Sequence, residues 1–288
     1  MKHIAVICLS LTFISHSTFS QQATIRVTQA APSLYMLDGQ GDFTGGNIAA
    51  SVGDDGILLV DNMFVKFMPM VLEKLKTLSD KPVRFALNTH YHGDHNNGNE
   101  FLSSTATIIG HTKLYQRLAS KTPALSPHAL PTITFSDSII MHFNNEEIRL
   151  IHFPDGHTDN DVVVYFTKSK VVHMGDMFFF GMFPGVYKEG GGDIKHLVVN
   201  LEKVVKMIPA DAKVVPGHGD LATVNDLKYY ITMLKETIAI VEAGIKKGKT
   251  ADQLVNEKVL TKYDALGSGG AQTTDQYTQM LFKLLSAK

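Results

Sequence analysis

The segment NTHYHGDHNNGN, residues 88–99, constrains this chain more than any other, because His90, His92, Asp94 and His95 crowd three imidazoles and a carboxylate into six residues. They follow directly on the β-rich run KPVRFALNTH, so they stand where a loop leaves a sheet and side chains can turn toward one point. Imidazole nitrogen and carboxylate oxygen are ordinary zinc ligands. A lone surface histidine would need no explanation. Four such donors in so short a turn, with further His and Asp residues at other predicted strand ends, point to a metal centre. The fold must then bring several strand ends to one place.

The hydrophobic pattern supplies those strands. From about Ile25 to Val60 the apolar runs SLYML, NIAASV and GILLVD are broken by GQGDFTGG and GDDG, which reads as an antiparallel meander. MFVKFMPMVLEKLKTL then carries apolar residues at helical spacing before the strand that ends at the histidine cluster. The alternation recurs through TATIIG, a helix near HTKLYQRLAS, the strands TITF, SIIMHF, EIRLIHF, DVVVYF and KVVHMGD, the helix DIKHLVVNLEKVVKMI and the strand AKVVPGHG. Two sheets covered by helices on the outside fit that order, an α/β sandwich. The tail from Val224 holds three helical runs joined by turn residues including GSGG, expected to cover a sheet face rather than form a second domain. No repeat of 20 to 50 residues is visible.

At the start, Lys2 precedes the apolar run IAVICLSLTFIS, and Thr18 and Ser20 stand three and one positions before a cut after residue 20. This is a signal-peptide pattern, and the run is shorter than the roughly 20 residues a bilayer core requires. The expectation is an exported, periplasmic or secreted protein comprising residues 21–288, with no membrane segment once the leader is removed. The only cysteine, Cys8, lies in the leader and lacks the preceding small residue of a lipid-attachment site, so no disulfide is available to the mature chain. Removing Lys2 reduces 27 Lys and Arg to 26, against 28 Asp and Glu, with no basic block to neutralise a run of phosphates. Nucleic acid is therefore not an expected partner.

His90-x-His92-x-Asp94-His95 resembles the signature of the metallo-β-lactamase superfamily, and the remaining blocks follow in that family's order: His157 in DGHTDND, Asp176 in HMGDMFF and His218 in VVPGHGD. Asp61, closing GILLVD, matches the family's early aspartate, which supports the metal loop through hydrogen bonds. The resemblance spans most of the mature chain and implies a four-layer αββα sandwich. It further implies that His90, His92 and His157 hold one zinc ion and Asp94, His95 and His218 a second, with Asp176 and a water or hydroxide bridging the two. Such a pair lowers the pKa of water, polarises a carbonyl and stabilises the developing oxyanion. Asp94 would orient the nucleophile and move a proton to the leaving group. His111, His128, His142, His152, His173 and His196 are read as core or surface residues. An odd offset from Asp176 along a strand is expected to point His173 to the opposite face.

What is attacked is less closely specified. GHTDNDVVVYF resembles the same segment of zinc β-lactamases, and Asp176 stands at the distance from His157 where those enzymes carry a cysteine ligand. They place a lysine three residues later to hold the drug's carboxylate, where this chain has Phe179. The ligand set is thus closer to the superfamily's general hydrolases, and the expected enzyme is a zinc hydrolase opening an amide, ester or lactone of a small molecule. A β-lactamase is the alternative within that class. Alternatives of another class are a di-iron redox protein, although the flavin domain of such relatives is absent, and a non-enzymatic zinc-binding protein. The stretch MFFFGMFPGVYKEGGGD after Asp176 fits either an apolar lip for a hydrophobic substrate or a loop packed on the core. Tyr187 and Lys188 are possible polar contacts within it. Oligomeric state is not legible.

Overall fold

The computed structural model describes residues 23–270 and 272–286; the expected leader and Cys8 lie outside the described residues. The first sheet begins as a meander of β1 (Thr24–Ala31), β2 (Leu34–Gln40), β3 (Ile48–Gly53) and β4 (Gly56–Val60). It continues with three parallel additions, β5 (Val83–Leu87), β6 (Thr107–His111) and β7 (Ile133–Phe135), in sequential order. The second sheet has the order β13-β12-β11-β10-β9-β8. Its strands are β8 (Ser138–Phe143), β9 (Glu146–Phe153), β10 (Asp161–Phe166), β11 (Val171–His173), β12 (Lys213–Val215) and β13 (Ala222–Thr223).

Nine helices are seen among the described residues: α1 (Met68–Lys76), α2 (Gly93–Asn96), α3 (Asn99–Leu102), α4 (Thr112–Ala119), α5 (Ile194–Met207), α6 (Val224–Lys246), α7 (Ala251–Asn256), α8 (Asp264–Gly267) and α9 (Thr274–Ser286). Local chemistry starts the longer ones. Pro69 opens α1, Asp193 caps the N–H groups of Lys195 and His196 in α5, and Thr223 with Asp226 forms a capping box on α6.

Alternation along the central strands explains the layering. In β4, Leu58 and Val60 point between the sheets while Ile57 and Leu59 point outward, where they meet Met68, Val71 and Leu75 of α1. In β10, Val162, Val164 and Phe166 fill the space between the sheets while Val163 and Tyr165 face the helices α5, α6 and α9. Strands buried on both faces read as continuous apolar runs, which is how GILLV and DVVVYF appear in the sequence. The result is the expected four-layer αββα sandwich, each buried Leu or Val contributing about 1.5–3 kcal/mol. The tail helices cover the second sheet and also brace the loop after Asp176: Gln272 donates to the Pro184 carbonyl, and the Val186 N–H meets Met280 Sδ at 3.3 Å.

Candidate metal centre

Five of the strands bring a polar side chain to one edge of the sandwich. Asp61 follows β4, the histidine cluster follows β5, His157 precedes β10, Asp176 lies in a short turn after β11, and His218 follows β12. The cluster itself is folded by asparagines. Asn96 Nδ2 donates to the carbonyls of His90 and His92 at 3.1 and 2.7 Å, which bends the loop so that α2 returns Asp94 and His95 toward His90. Beneath it, Asn62 donates to Asn99 at 2.6 Å and Asn99 to Asn88 at 2.8 Å, a buried chain that ties the loop to the first sheet. On the other side, the Asp161 carboxylate accepts the Thr158 N–H at 3.0 Å and its hydroxyl, holding the turn that carries His157. Burial pushes the Asp161 carboxyl up to about 7 against these donors.

Seven donors gather in two groups, His90, His92, His157 and Asp176 in one and Asp94, His95 and His218 in the other. In the first, His92 Nδ1 lies 3.0 Å from His90 Nε2 and 2.9 Å from His157 Nε2. In the second, His95 Nε2 and His218 Nε2 are 3.4 Å apart, and Asp94 Oδ2 is 3.6 and 3.3 Å from them. Ligand atoms held about 2.0–2.1 Å from one ion in a tetrahedron stand about 3.3–3.4 Å apart. The observed separations thus fit atoms arranged around a cation.

Asp176 divides its two oxygens between the groups. Oδ2 lies 3.7 and 3.5 Å from the Nε2 atoms of His90 and His157, whereas Oδ1 lies 3.0 and 3.4 Å from those of His95 and His218. Although buried, Oδ1 receives no hydrogen bond. A buried carboxylate oxygen without a donor is costly unless positive charge meets it; protonated His95 and His218 do so without metal, and a divalent cation between these groups would take their place. The donor set therefore fits divalent metal. Two glycines make the approach possible: a Cβ on Gly217 would stand 2.0 Å from Asp176 Oδ1, and one on Gly46 would stand 2.1 Å from the His95 ring.

Hydrogen bonds to the far ring nitrogens select the tautomers. Asp61, buried and held at φ 64°, accepts the Thr89 N–H at 2.8 Å, the Thr89 hydroxyl at 2.8 Å and His95 Nδ1–H at 2.7 Å. A carboxylate can only accept, so His95 carries a proton on Nδ1, and its neutral, metal-binding form presents a bare Nε2 to the site. The same logic passes one residue further. The Thr89 hydroxyl, committed as donor to Asp61, accepts from His90 Nδ1 at 3.0 Å, which leaves His90 Nε2 bare. His157 Nδ1–H donates to the Gly185 carbonyl at 2.5 Å, with the same effect.

Without metal the two groups differ in charge. Burial and the neighbouring His95 hold His90 well below its ordinary range, burial depresses His157, and burial with His157 pushes His92 down to about 4. Burial acts against protonation of His95 and His218 too, but the carboxylates outweigh it. Asp176, Asp94 and Asp61 hold His95 well above its usual value, and Asp176 leads in raising His218 to about 9. The first group presents neutral imidazoles, the second imidazolium against carboxylate.

All seven sequence-predicted donors and Asp61 lie in this cluster. The sequence reading did not foresee Thr89, Asn96 or Asp161; the Asn-rich run after His95 and the Asp that opens β10 were the available signals. His173 stays out of the cluster, but not by strand alternation. β11 stops at His173, and the chain turns through Gly175 at φ 50° into a 3-10 turn that carries Asp176. His173 accepts the Gly175 N–H at 3.1 Å and donates to the Asn47 carbonyl at 3.0 Å, which shapes that turn. His111 and His152 stack on each other with centroids 3.7 Å apart, and His128, His142 and His196 are exposed. The aromatic stretch divides between both readings: Phe178 and Phe183 are core, while Phe179 stacks on His218 at 5.3 Å and borders a cleft of about 730 Å³.

The sequence model of the Metallo-beta-lactamase superfamily matches residues 48–218, and the chain belongs to that superfamily. It is 24% identical over 248 residues to a metallo-beta-lactamase type 2 of Elizabethkingia meningoseptica, covering 82% of this chain and 95% of that one. Over 152 residues it is 30% identical to a hydroxyacylglutathione hydrolase of Pelagibacter ubique, covering 50% of this chain and 56% of that protein. A solved metallo-beta-lactamase from Pontibacter korlensis shares the fold with a TM-score of 0.62 at 19% identity, over 74% of this chain and 99% of that one.

Proposed function

We propose that this protein is an exported hydrolase that uses two zinc ions to open an amide, ester or lactone carbonyl of a small molecule. The observation that carries the two-ion reading is Asp176, whose oxygens face two separate donor groups. His90, His92 and His157 would hold one ion, Asp94, His95 and His218 the other, and Asp176 would touch both. When bound, the ions would supply Lewis acidity to the carbonyl and a water of lowered pKa.

The chain's own residues set the rest of the reaction. Asp61 and Thr89 fix the ring nitrogens, so the site is arranged before substrate arrives. Asp94 is only partly buried and sits at the open side, within 3.6 Å of His95 and 3.3 Å of His218. From there its carboxylate orients the attacking water and carries a proton to the leaving group. Phe179 covers one face of His218 and limits access of bulk water on that side.

β-Lactams are the second reading within the same chemistry, supported by the length over which the Elizabethkingia meningoseptica relative aligns. Turnover of a panel of β-lactams, lactones and simple esters, abolished by chelation and restored by zinc, is the expected result. Absence of turnover of every member by the zinc-loaded protein would contradict it. Export predicts that the protein recovered from the producing cell's envelope or medium begins near Gln21.

A further inference from the structure

The cleft beside His218 has a charge that bears on which substrates reach the centre. Arg26 is the only lysine or arginine among the described residues that line it, and its charge is already met. Register places Arg26 opposite Asp38 across β1 and β2. Its Nε donates to both Asp38 oxygens at 3.0 and 3.1 Å, and its Nη2 pairs with Asp220. Asp42 lines the cleft as well, so once His218 holds metal as a neutral imidazole, one cation stands against three carboxylates. The dications proposed for the centre would have Asp61, Asp94 and Asp176 close about them, which meets most of their charge within the site.

Two aromatic faces add to this. Phe43, 58% exposed, stacks on His218 at 5.8 Å, and Phe179 stacks on it at 5.3 Å, so the path from cleft to metals runs past two phenyl rings. Phenyl faces attract cations as well as apolar groups. The Thr44 hydroxyl, buried and without a hydrogen-bond partner, borders the same cleft.

We propose that this cleft selects carbonyl substrates whose non-reacting part is apolar and cationic, accepts neutral ones less well, and disfavours carboxylate-bearing ones. The inference rests on the hydrolase reading for the reaction, but the charge selection belongs to the cleft. It sets the protein apart from any enzyme that grips an anionic substrate through a free lysine or arginine at this position.

The test uses p-nitrophenyl esters of a five-carbon acid carrying a terminal trimethylammonium, methyl or carboxylate group. The matching aryl ethers, which offer no carbonyl, report binding alone by calorimetry. The expected order is cationic, neutral, anionic in both kcat/KM and binding. The ratio between the extremes should be about thirtyfold at low salt, the size that two net charges roughly 8 Å away give in a mostly aqueous cleft when the substrate's own charge changes from plus one to minus one. It should shrink several-fold by about 0.5 M salt. Asp42→Asn and Asp220→Asn should each reduce the ratio several-fold. Equal treatment of the three ethers, preference for the carboxylate, or a ratio unmoved by both substitutions would overturn the proposal. Ethers ranked as expected with no ester hydrolysed would instead remove the hydrolase reading and leave the cleft assignment standing.

Discussion

Replacing Asp61 with Asn tests the tautomer relay that underlies the whole centre. Asn keeps the size of the side chain and tolerates the left-handed backbone at φ 64°, so strain is not added. What changes is the direction of the hydrogen bonds. Asp61 accepts three, at 2.8, 2.8 and 2.7 Å, through two oxygens; Asn has one accepting oxygen and an NH2 that can only donate. If that oxygen keeps the Thr89 N–H, the NH2 faces His95 Nδ1, which must then accept. The proton moves to Nε2, the atom needed for metal. Loss of one charge-assisted bond is worth about 1.5–3 kcal/mol, or about 10–150-fold in affinity, in line with the 10–100-fold cost of removing a partner of a metal-bound histidine. The group containing His95 should therefore weaken by roughly 10–100-fold. The group containing His90 should weaken less, because it is reached only through the rotatable Thr89 hydroxyl. Competition titration with a chromophoric chelator resolves two binding steps. Thr89→Val is the control, since it should weaken only the His90 step. An Asp61→Asn protein that binds both ions with unchanged affinity would refute the relay.

Three further outcomes follow from the same geometry. Binding of zinc at Asp94, His95 and His218 must displace protons, whereas the imidazoles of the first group are already neutral. His218, raised to about 9 from 6.5, lends the metal-free protein stability that is complete below 6.5 and lost as pH rises through 9, so affinity for the second ion should climb over that window, about tenfold per unit for each proton displaced; proton release measured in weakly buffered dye solution should accompany the second step and not the first. Asp94→Asn should lose most of its turnover while retaining much of the metal, and His95→Ala should selectively lose the second ion; both seen fully active in assays with parallel metal analysis would contradict the assignment. Gly217→Ala should displace Asp176 and destabilise the fold by about 1–3 kcal/mol, whereas Gly93→Ala, whose Cβ meets nothing within 4 Å, should leave metal content and melting temperature unchanged.

Much of this was readable from the sequence because it depends on short-range pattern. Runs such as GILLV and DVVVYF announce strands buried on two sides, and the seven donors stand in a recognisable order at strand ends. The parts that were not readable depend on contacts through space. Asn88, Asn96 and Asn99 look like loop residues, yet each is buried and two of them carry the chain that shapes the cluster. Thr89 gains meaning only when Asp61 folds beneath it. For His173, alternation gave the right outcome for the wrong reason, because a turn at Gly175 ends the strand before Asp176. The cleft could not be foreseen either: its walls come from β1, the loop after β2, the segment after Asp176 and Gly269, which only the folded chain unites.

The central claim is a two-ion hydrolytic centre, and stepwise return of zinc to chelated protein tests it most directly. Hydrolysis of a responsive ester or lactone, followed against zinc measured per chain by elemental analysis, should rise and saturate at two ions. Saturation at one ion, or a purified protein holding two irons that turns over no substrate, would contradict the account.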